Sequence, residues 1–451
     1  MSFSLNKILT ESIFISISIY MSDVYCSGFE VREQNVRSLG NAYAGVTVLT
    51  QDASAAFYNP AALADLEEKQ WSLPMIVSQP DQEFKVTKAL DAPDGVGILG
   101  VGNTKITRPK SDTLLPSFHY GARVTESMVF ALSVATPFNI NFSYDEGGIA
   151  RYSATKTLLR SIDISPSIVY GNISDMSFAF GLDFLRTNFE FSNAYNTLNT
   201  NIPSEDGYQK LTGFDWSYGW HAGLMYVSPI KAVRVGLFYR SSFNLALRGK
   251  KHTLGCTGNV ACTGYPSKLC SYDINSKATL PRILSFGVYI PVNQYFSLMG
   301  DIHYTNWLVF DKFKVYKGSK QIEEYLSFDK SFLDSTRIAI GLNLIPNEYI
   351  TFRLGYARDP SPVTSSMNTS RMPYADSNWY SLGLTVKFND RLTADLGYTK
   401  VSYENIKITE KYPTNNILNT KCDKLNKSAL SADYQSDLYL WGFQINYEFE
   451  D

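Results

Sequence analysis

The chain has 451 residues, of which 44% are hydrophobic, 14% aromatic (30 Tyr, 27 Phe) and 19% charged, with a formal net charge of -2. That near-neutral balance, without a basic run, excludes an electrostatic track for nucleic acid. No apolar stretch long enough for a helical span lies beyond the N-terminus; the length allows two or three soluble domains or one large barrel, and the many Tyr and Phe at moderate hydrophobicity suggest a transmembrane β-barrel, whose strands are apolar only at alternate positions.

In chain order, Lys7 precedes an apolar stretch from Ile13 to Met21, interrupted upstream only by Glu11. Residues 1–26 are therefore expected to be a secretory signal, cleaved near Cys26-Ser27. Asp23-Val24-Tyr25 lacks the small residues that a lipidation site places before its cysteine, so a lipoprotein is not expected. Residues 27–68 form a Gly-, Ala- and Ser-rich head. Within it, DASAAFYNPAAL (52–63) has no period-2 alternation, and Asn59-Pro60 is a turn signal. Gly28, Gly40 and Gly45 are expected where backbones pack closely or φ is positive.

From residue 69 to 451 an alternating segment, a turn and another alternating segment recur. Val233, Val235, Leu237, Tyr239, Phe243, Leu245 and Leu247 share one parity, and Arg234, Arg240, Asn244 and Ala246 share the other. Period-2 alternation sends the two sets to opposite faces, so a lipid-facing exterior and a polar lumen are expected. Ile338–Leu344, Ile350–Tyr356 and Tyr439–Phe449 repeat the pattern. Short turns at 125–127, 174–175, 229–231, 293–294, 346–348 and 389–391 alternate with long loops near 79–113, 139–152, 197–211, 250–277, 318–331, 361–375 and 409–432. Six turns and seven loops imply an all-β, antiparallel barrel of about fourteen strands.

Cys256, Cys262, Cys270 and Cys422 fall in two of the long loops on the same side. Four cysteines in an exported chain allow three disulfide connectivities, and Cys256–Cys262 with Cys270–Cys422 is preferred. His119, His221, His252 and His303 are scattered, without the spacing of a metal site, and no serine sits in a G-x-S-x-G elbow. No metal, cofactor or catalytic activity is expected. Arg234, Arg240, Arg337 and Arg353 share the lumenal parity with Asp183, Asp301 and Asp395. Each arginine can either grip a ligand carboxylate or pair with one of these aspartates. Arg240, in mid-strand, Arg353, and Arg151 in GGIARYS at a loop edge are the candidate ligand contacts.

The head resembles the N-terminal hatch of the FadL/TodX family of outer-membrane transporters of hydrophobic compounds. The matching elements are Gly28-Phe29, Glu33, Leu39-Gly40, Ala42, Ala44-Gly45, Asp52-Ala53 and Asn59-Pro60-Ala61. Barrel segments follow in the family's order, among them LPSFHY (115–120), RVGLFYRSSF (234–243), DIHYTNW (301–307) and YITFRLGYARDPSPV (349–363). One departure is the end, where Phe449 is followed by Glu450-Asp451.

The resemblance implies a fourteen-stranded barrel plugged by the hatch, with Phe29, Glu33, Gly40, Asp52 and Asn59-Pro60-Ala61 as hatch and gate residues. It also implies passive uptake of long-chain fatty acids: capture at the loops, a lumenal site, and sideways exit through the wall beside Asn-Pro-Ala. An apolar chain gains roughly 0.8 kcal/mol per buried CH₂, so a groove alone can capture it. The expected setting is a Gram-negative outer membrane, as a monomer surrounded by lipid, with long loops outside and short turns in the periplasm. A hydrocarbon channel of the same family and an adhesive surface barrel are the rivals. For a fatty-acid carrier, Arg240→Ala is expected to impair fatty-acid uptake and spare hydrocarbons.

Overall fold

Alternation of apolar and polar residues carries the chain through fourteen antiparallel strands that close on themselves. The computed structural model describes residues 28–449 apart from 50–51, 92–95, 98–104, 109–112, 172–175, 196–203, 205, 230–231, 255–269, 311, 318–319, 328–331 and 412–428. The expected signal and Cys256, Cys262 and Cys422 lie outside the described residues.

The strands are β1 (Gln70–Asp91), β2 (Thr113–Pro116 and Phe118–Thr125), β3 (Met128–Ala135 and Asn139–Ser143), β4 (Lys156–Gly171), β5 (Met176–Tyr195), β6 (Gly207–Val227) and β7 (Arg234–Arg240 and Phe243–Leu254). The series continues with β8 (Cys270–Leu280 and Ile283–Pro291), β9 (Phe296–Thr305), β10 (Ser335–Asn347), β11 (Ile350–Asp359), β12 (Ser377–Lys387), β13 (Leu392–Tyr403 and Ile406–Lys411) and β14 (Ala429–Glu448). β14 pairs back onto β1 from Gln70↔Glu448 to Leu90↔Ala429, which closes the barrel. Exposed Phe178, Phe180 and Leu182 on β5 and Trp216, Tyr218 and Trp220 on β6 face outward. Buried Arg353 and Ala357 on β11 alternate with exposed Phe352, Leu354 and Tyr356.

Two expectations are corrected. Several of the expected loops are shorter, because strands run on into them: β1 reaches Asp91, β6 begins at Gly207, β7 reaches Leu254, and Asn139–Ser143 is strand. Cys270 accordingly opens β8, paired with Thr253, rather than lying within a loop. Lys320–Ser327, inside the expected loop at 318–331, is strand and pairs with Lys312–Lys317 as a hairpin. Beyond the lipid slab neither face of a strand needs to be apolar, so alternation fades while hydrogen bonding continues.

The second correction concerns the lumen. In the first half of β7 Leu237 is exposed while Phe238 and Arg240 are buried; in the second half Phe243, Leu245 and Leu247 are buried and Asn244 and Ala246 exposed. The faces swap at Ser241-Ser242, where Ser241 N–H donates to the Trp220 carbonyl and its Oγ accepts from Trp220 N–H. The long-loop half of the lumen is therefore apolar, joining Phe243, Leu245 and Leu247 to Phe189, Leu211, Trp307 and Phe332. Asp183, His221, Arg240, Arg353 and Asp395 line the middle, and the short-turn end packs Val129, Ala131, Val169, Ala179 and Met225 against Ala61, Ala62 and Leu63 of the hatch.

The head folds inside this wall as short helical turns: α1 (Val36–Leu39), α2 (Ala55–Tyr58) and two 3₁₀ turns, Val46–Val48 and Pro60–Asp65. Asn35 caps α1. Asn59 caps the last turn through Ala61 N–H, with Pro60 in the first position, where a missing N–H is harmless. Gly40 serves close approach: a Cβ there would lie 2.6 Å from the Gly383 Cα of β12.

Candidate functional site

The wall is interrupted between β2 and β3. Phe118–Thr125 pairs with β3 only as far as Phe118↔Val134. Beyond that rung, Thr113–Pro116 pairs with β1 and Asn139–Ser143 with β4, and among the described residues the two segments do not pair with each other. Thr136-Pro137-Phe138 marks the bend, and Pro137 has no N–H to offer a neighbouring strand.

The hatch fills this interruption from inside. Val31 N–H donates to the Pro137 carbonyl at 2.8 Å, and Asn139 N–H to the Phe29 carbonyl at 3.0 Å, with Glu30 bridged to Phe138. Gln34 Nε2 donates to the Thr136 carbonyl at 2.9 Å, and its Oε1 accepts from Thr136 N–H at 3.2 Å. On the other edge Ser117 Oγ donates to the Gln34 carbonyl, 3.1 Å away, which also lies 2.9 Å from His119 Nε2. Phe29 is anchored edge-on against Trp307, with centroids 4.6 Å apart. Nothing in the sequence distinguishes Gln34, a lone glutamine.

Above the hatch segment lies a cleft of about 180 Å³. Leu115 comes from one edge of the interruption and Ile140 and Phe142 from the other, facing Trp379 and Leu438. Phe29, Arg32 and Glu33 contribute from the hatch, and Pro373 and Tyr374 from the segment before β12. Arg32 is 4% exposed; its Nη2 stands 3.7 Å from Asp301 Oδ1, while Nε and Nη1 have no hydrogen-bond partner among the described residues. Glu33, a hatch residue rather than part of a spanning strand, has its carboxyl pushed up to about 7 by burial, against the opposing pull of its own backbone N–H and of Arg337 and Arg32.

The three arginines expected to meet ligand are each engaged by the protein. Arg240 is 1% exposed, with Nε 3.6 Å from Asp183 Oδ1, Nη2 donating to the Phe57 carbonyl at 3.2 Å, and its guanidinium over the Phe57 ring. Arg353 bonds Thr385 and lies 3.9 Å from Asp395, which Arg37 of the hatch reaches at 3.0 Å. Arg151 donates to Asp206 at 2.6 Å. Asp52 faces Arg37 at 3.5 Å and accepts from Asn35 and Ser54, tying the hatch to itself. Asn59 Nδ2 donates to the Thr47 and Leu224 carbonyls, which places Asn59 against β6. Pro60 and Ala61 begin the turn beside it, and Ser177 Oγ of β5 donates to the Ala61 carbonyl.

One constellation invisible in the sequence resembles hydrolase machinery. Ser167 Oγ is 2.7 Å from His221 Nε2, and His221 Nδ1 is 2.9 Å from Asp183 Oδ1. All three are buried, Asp183 is shared with Arg240, and a Cβ on Gly181 would collide with the imidazole. The serine has no room for a reacting carbonyl, so these residues satisfy one another as a polar ladder on the wall.

Comparison with known proteins places this architecture. Residues 17–449 match the family model described as outer membrane protein transport protein (OMPP1/FadL/TodX). The chain is 24% identical to the long-chain fatty acid transport protein of Escherichia coli O6:H1 strain CFT073, covering 96% of this chain and 97% of that one. It is 23% identical to outer membrane protein P1 of Haemophilus influenzae strain Rd, over 94% and 95% of the two chains. Among solved structures, a Pseudomonas aeruginosa FadL homologue superposes with a TM-score of 0.82 at 19% identity, covering 94% of this chain and all of the other. The Pseudomonas putida toluene transporter TodX gives 0.64 at 14% identity, over 93% and 99%.

Proposed function

This chain belongs to the OMPP1/FadL/TodX family of outer-membrane transport proteins, and on that premise we propose that it takes up long-chain fatty acids through the lumenal cleft and releases them sideways between β2 and β3. The family is one of transport channels for hydrophobic molecules, not of enzymes. One observation carries the sideways exit: the cleft is bordered by both unpaired edges of the wall, Leu115 on one side and Ile140 and Phe142 on the other. An alkyl chain lying there is one hatch displacement away from bilayer. Continuing down the barrel would take it past Asp183, Arg240, His221 and Asp395, at a loss of roughly 0.8 kcal/mol for each CH₂ returned to a polar setting.

Fatty acid as the substrate rests on the activity for which the Escherichia coli relative is named, together with the mainly apolar lining of the cleft. A neutral hydrocarbon is the second reading, favoured by the engagement of Arg151, Arg240 and Arg353 with Asp206, Asp183 and Asp395.

The exit is tested by replacing Leu115 and Ile140 with cysteine in a chain whose native cysteines are serine, then spanning the pair with a reducible bifunctional thiol reagent. Cells carrying the bridged protein should stop taking up labelled oleate and resume on reduction. Undiminished uptake through a bridged wall removes this exit.

A further inference from the structure

The cleft is lined by two adjacent hatch side chains, Arg32 with two donors that lack a partner among the described residues and Glu33 with no ion pair there, and we infer that Arg32 and Glu33 together seat a carboxyl head group that arrives with one proton to share. This rests on the uptake reading above and specifies how the same cleft recognises its cargo.

Cations and carboxyls are unevenly matched around this end of the cleft. Facing Glu33 are Arg32 of the hatch, Arg337 of β10, Asp359 at the end of β11, and the hatch hydroxyls of Tyr43 and Tyr58. Arg337 is drawn to Asp359, with Nε 3.5 Å from it but not hydrogen-bonded, and Nη2 donates to the Ala42 carbonyl at 2.9 Å. Arg32 is half committed, its Nη2 turned towards Asp301 and two donors left over. Matching guanidinium to carboxylate in this way leaves Glu33 as the odd carboxyl, without a cation of its own.

A carboxylic acid answers both residues at once. Its carbonyl oxygen accepts from the spare donors of Arg32, and its O–H donates to the Glu33 carboxylate. The same complex is reached from the carboxylate form of the ligand when Glu33 carries the proton; either way the pair holds one proton and one negative charge. A second full charge would set two anions beside a guanidinium already serving Asp301, and like-charged carboxyls in one site do not both ionise. An alkane leaves the Arg32 donors buried and unanswered, whereas an alcohol meets Glu33 equally well in either ionisation state.

The test measures equilibrium binding of labelled oleate and oleyl alcohol to the full chain in detergent, between pH 5.5 and 9. Wild type, Glu33→Gln and Arg32→Gln are compared at the same pH, which cancels the ionisation of free oleate. Retention of the heat-modifiable band on a denaturing gel reports an intact barrel.

The wild-type affinity for oleate should fall about tenfold per pH unit on the alkaline side, as the loss of one required proton demands, while E33Q binds there undiminished. R32Q should lose at least about tenfold for oleate at pH 6 and change less than about twofold for the alcohol. The head-group seat is overturned if E33Q keeps the wild-type slope, or if R32Q weakens alcohol and acid alike. If wild type binds oleate at no pH yet binds toluene, the fatty-acid reading has failed instead.

Discussion

The side-chain amide of Gln34 meets both backbone polar groups of Thr136, donating to its carbonyl at 2.9 Å and accepting from its N–H at 3.2 Å. A glutamine amide has the donor–acceptor pattern of a peptide unit, so the hatch supplies the rung that β2 does not offer at this height. Ser117 and His119 hold the Gln34 carbonyl from the opposite edge, and one residue thus spans the whole interruption.

Gln34→Ala would leave the Thr136 N–H and carbonyl buried and unpaired, a loss of about 1–3 kcal/mol confined to this spot. Hydrogen exchange of the Thr136 and Asn139 amides should accelerate by about one order of magnitude or more, while β11 and β12 keep their protection. Unchanged exchange at Thr136 would mean that Gln34 does not hold the wall closed.

Gly383→Val tests the seating of the plug. Its Cβ would stand 2.7 Å from the Gly40 Cα, a backbone atom that cannot swing aside. The barrel should still form, because Gly383 keeps its register with Arg353 and Gly397, but the hatch should be displaced. Reconstituted protein should then admit small polar solutes that wild type excludes; an equally tight variant would show that the lumen has slack around α1.

Arg240→Ala should not separate fatty acid from hydrocarbon. The guanidinium compensates Asp183 and supports the Phe57 carbonyl, so its removal leaves a buried carboxylate short of its cation, at about 3–5 kcal/mol. Oleate and toluene uptake should decline together, along with the melting temperature. Selective loss of oleate by a fully stable variant would reinstate Arg240 as a ligand contact.

The Glu33 carboxyl gives the hatch a pH dependence of definite sign. Its ordinary value is 4.5 and its folded value about 7, so the folded state binds the proton more tightly. Stability is therefore full below about 4.5, declines as the pH rises, and levels off above about 7, a change of about 3 kcal/mol for the hatch. Thermal unfolding between pH 4 and 8 should reveal the decline, and Glu33→Gln should flatten it. An E33Q profile parallel to wild type would assign the effect to another group.

Much of the wall was legible in the chain, because a barrel face repeats every second residue and lipid enforces the repeat. Phe352, Leu354 and Tyr356 against Arg353 and Ala357 needed nothing beyond that rule. The swap at Ser241-Ser242 escaped it, since two small polar residues between two alternating runs look like one imperfect run. Pairing of arginines with aspartates was visible as an alternative, but Arg37 with Asp395 joins residues 358 apart, and only the fold brings them together. Arg32 carries no local signal either: its significance is that the surrounding carboxylates leave two of its donors unanswered.

The swap in β7 has a consequence for direction. With Phe243, Leu245 and Leu247 turned inward above it and Arg240 below, the outer lumen behaves as an oily phase resting on a polar layer, with their boundary near mid-barrel. An oily solute partitions readily into the outer phase and halts at the interface, much as it would between oil and water. The interruption between β2 and β3 adjoins the outer phase, so on the proposed route what stops at the interface meets a door rather than a floor.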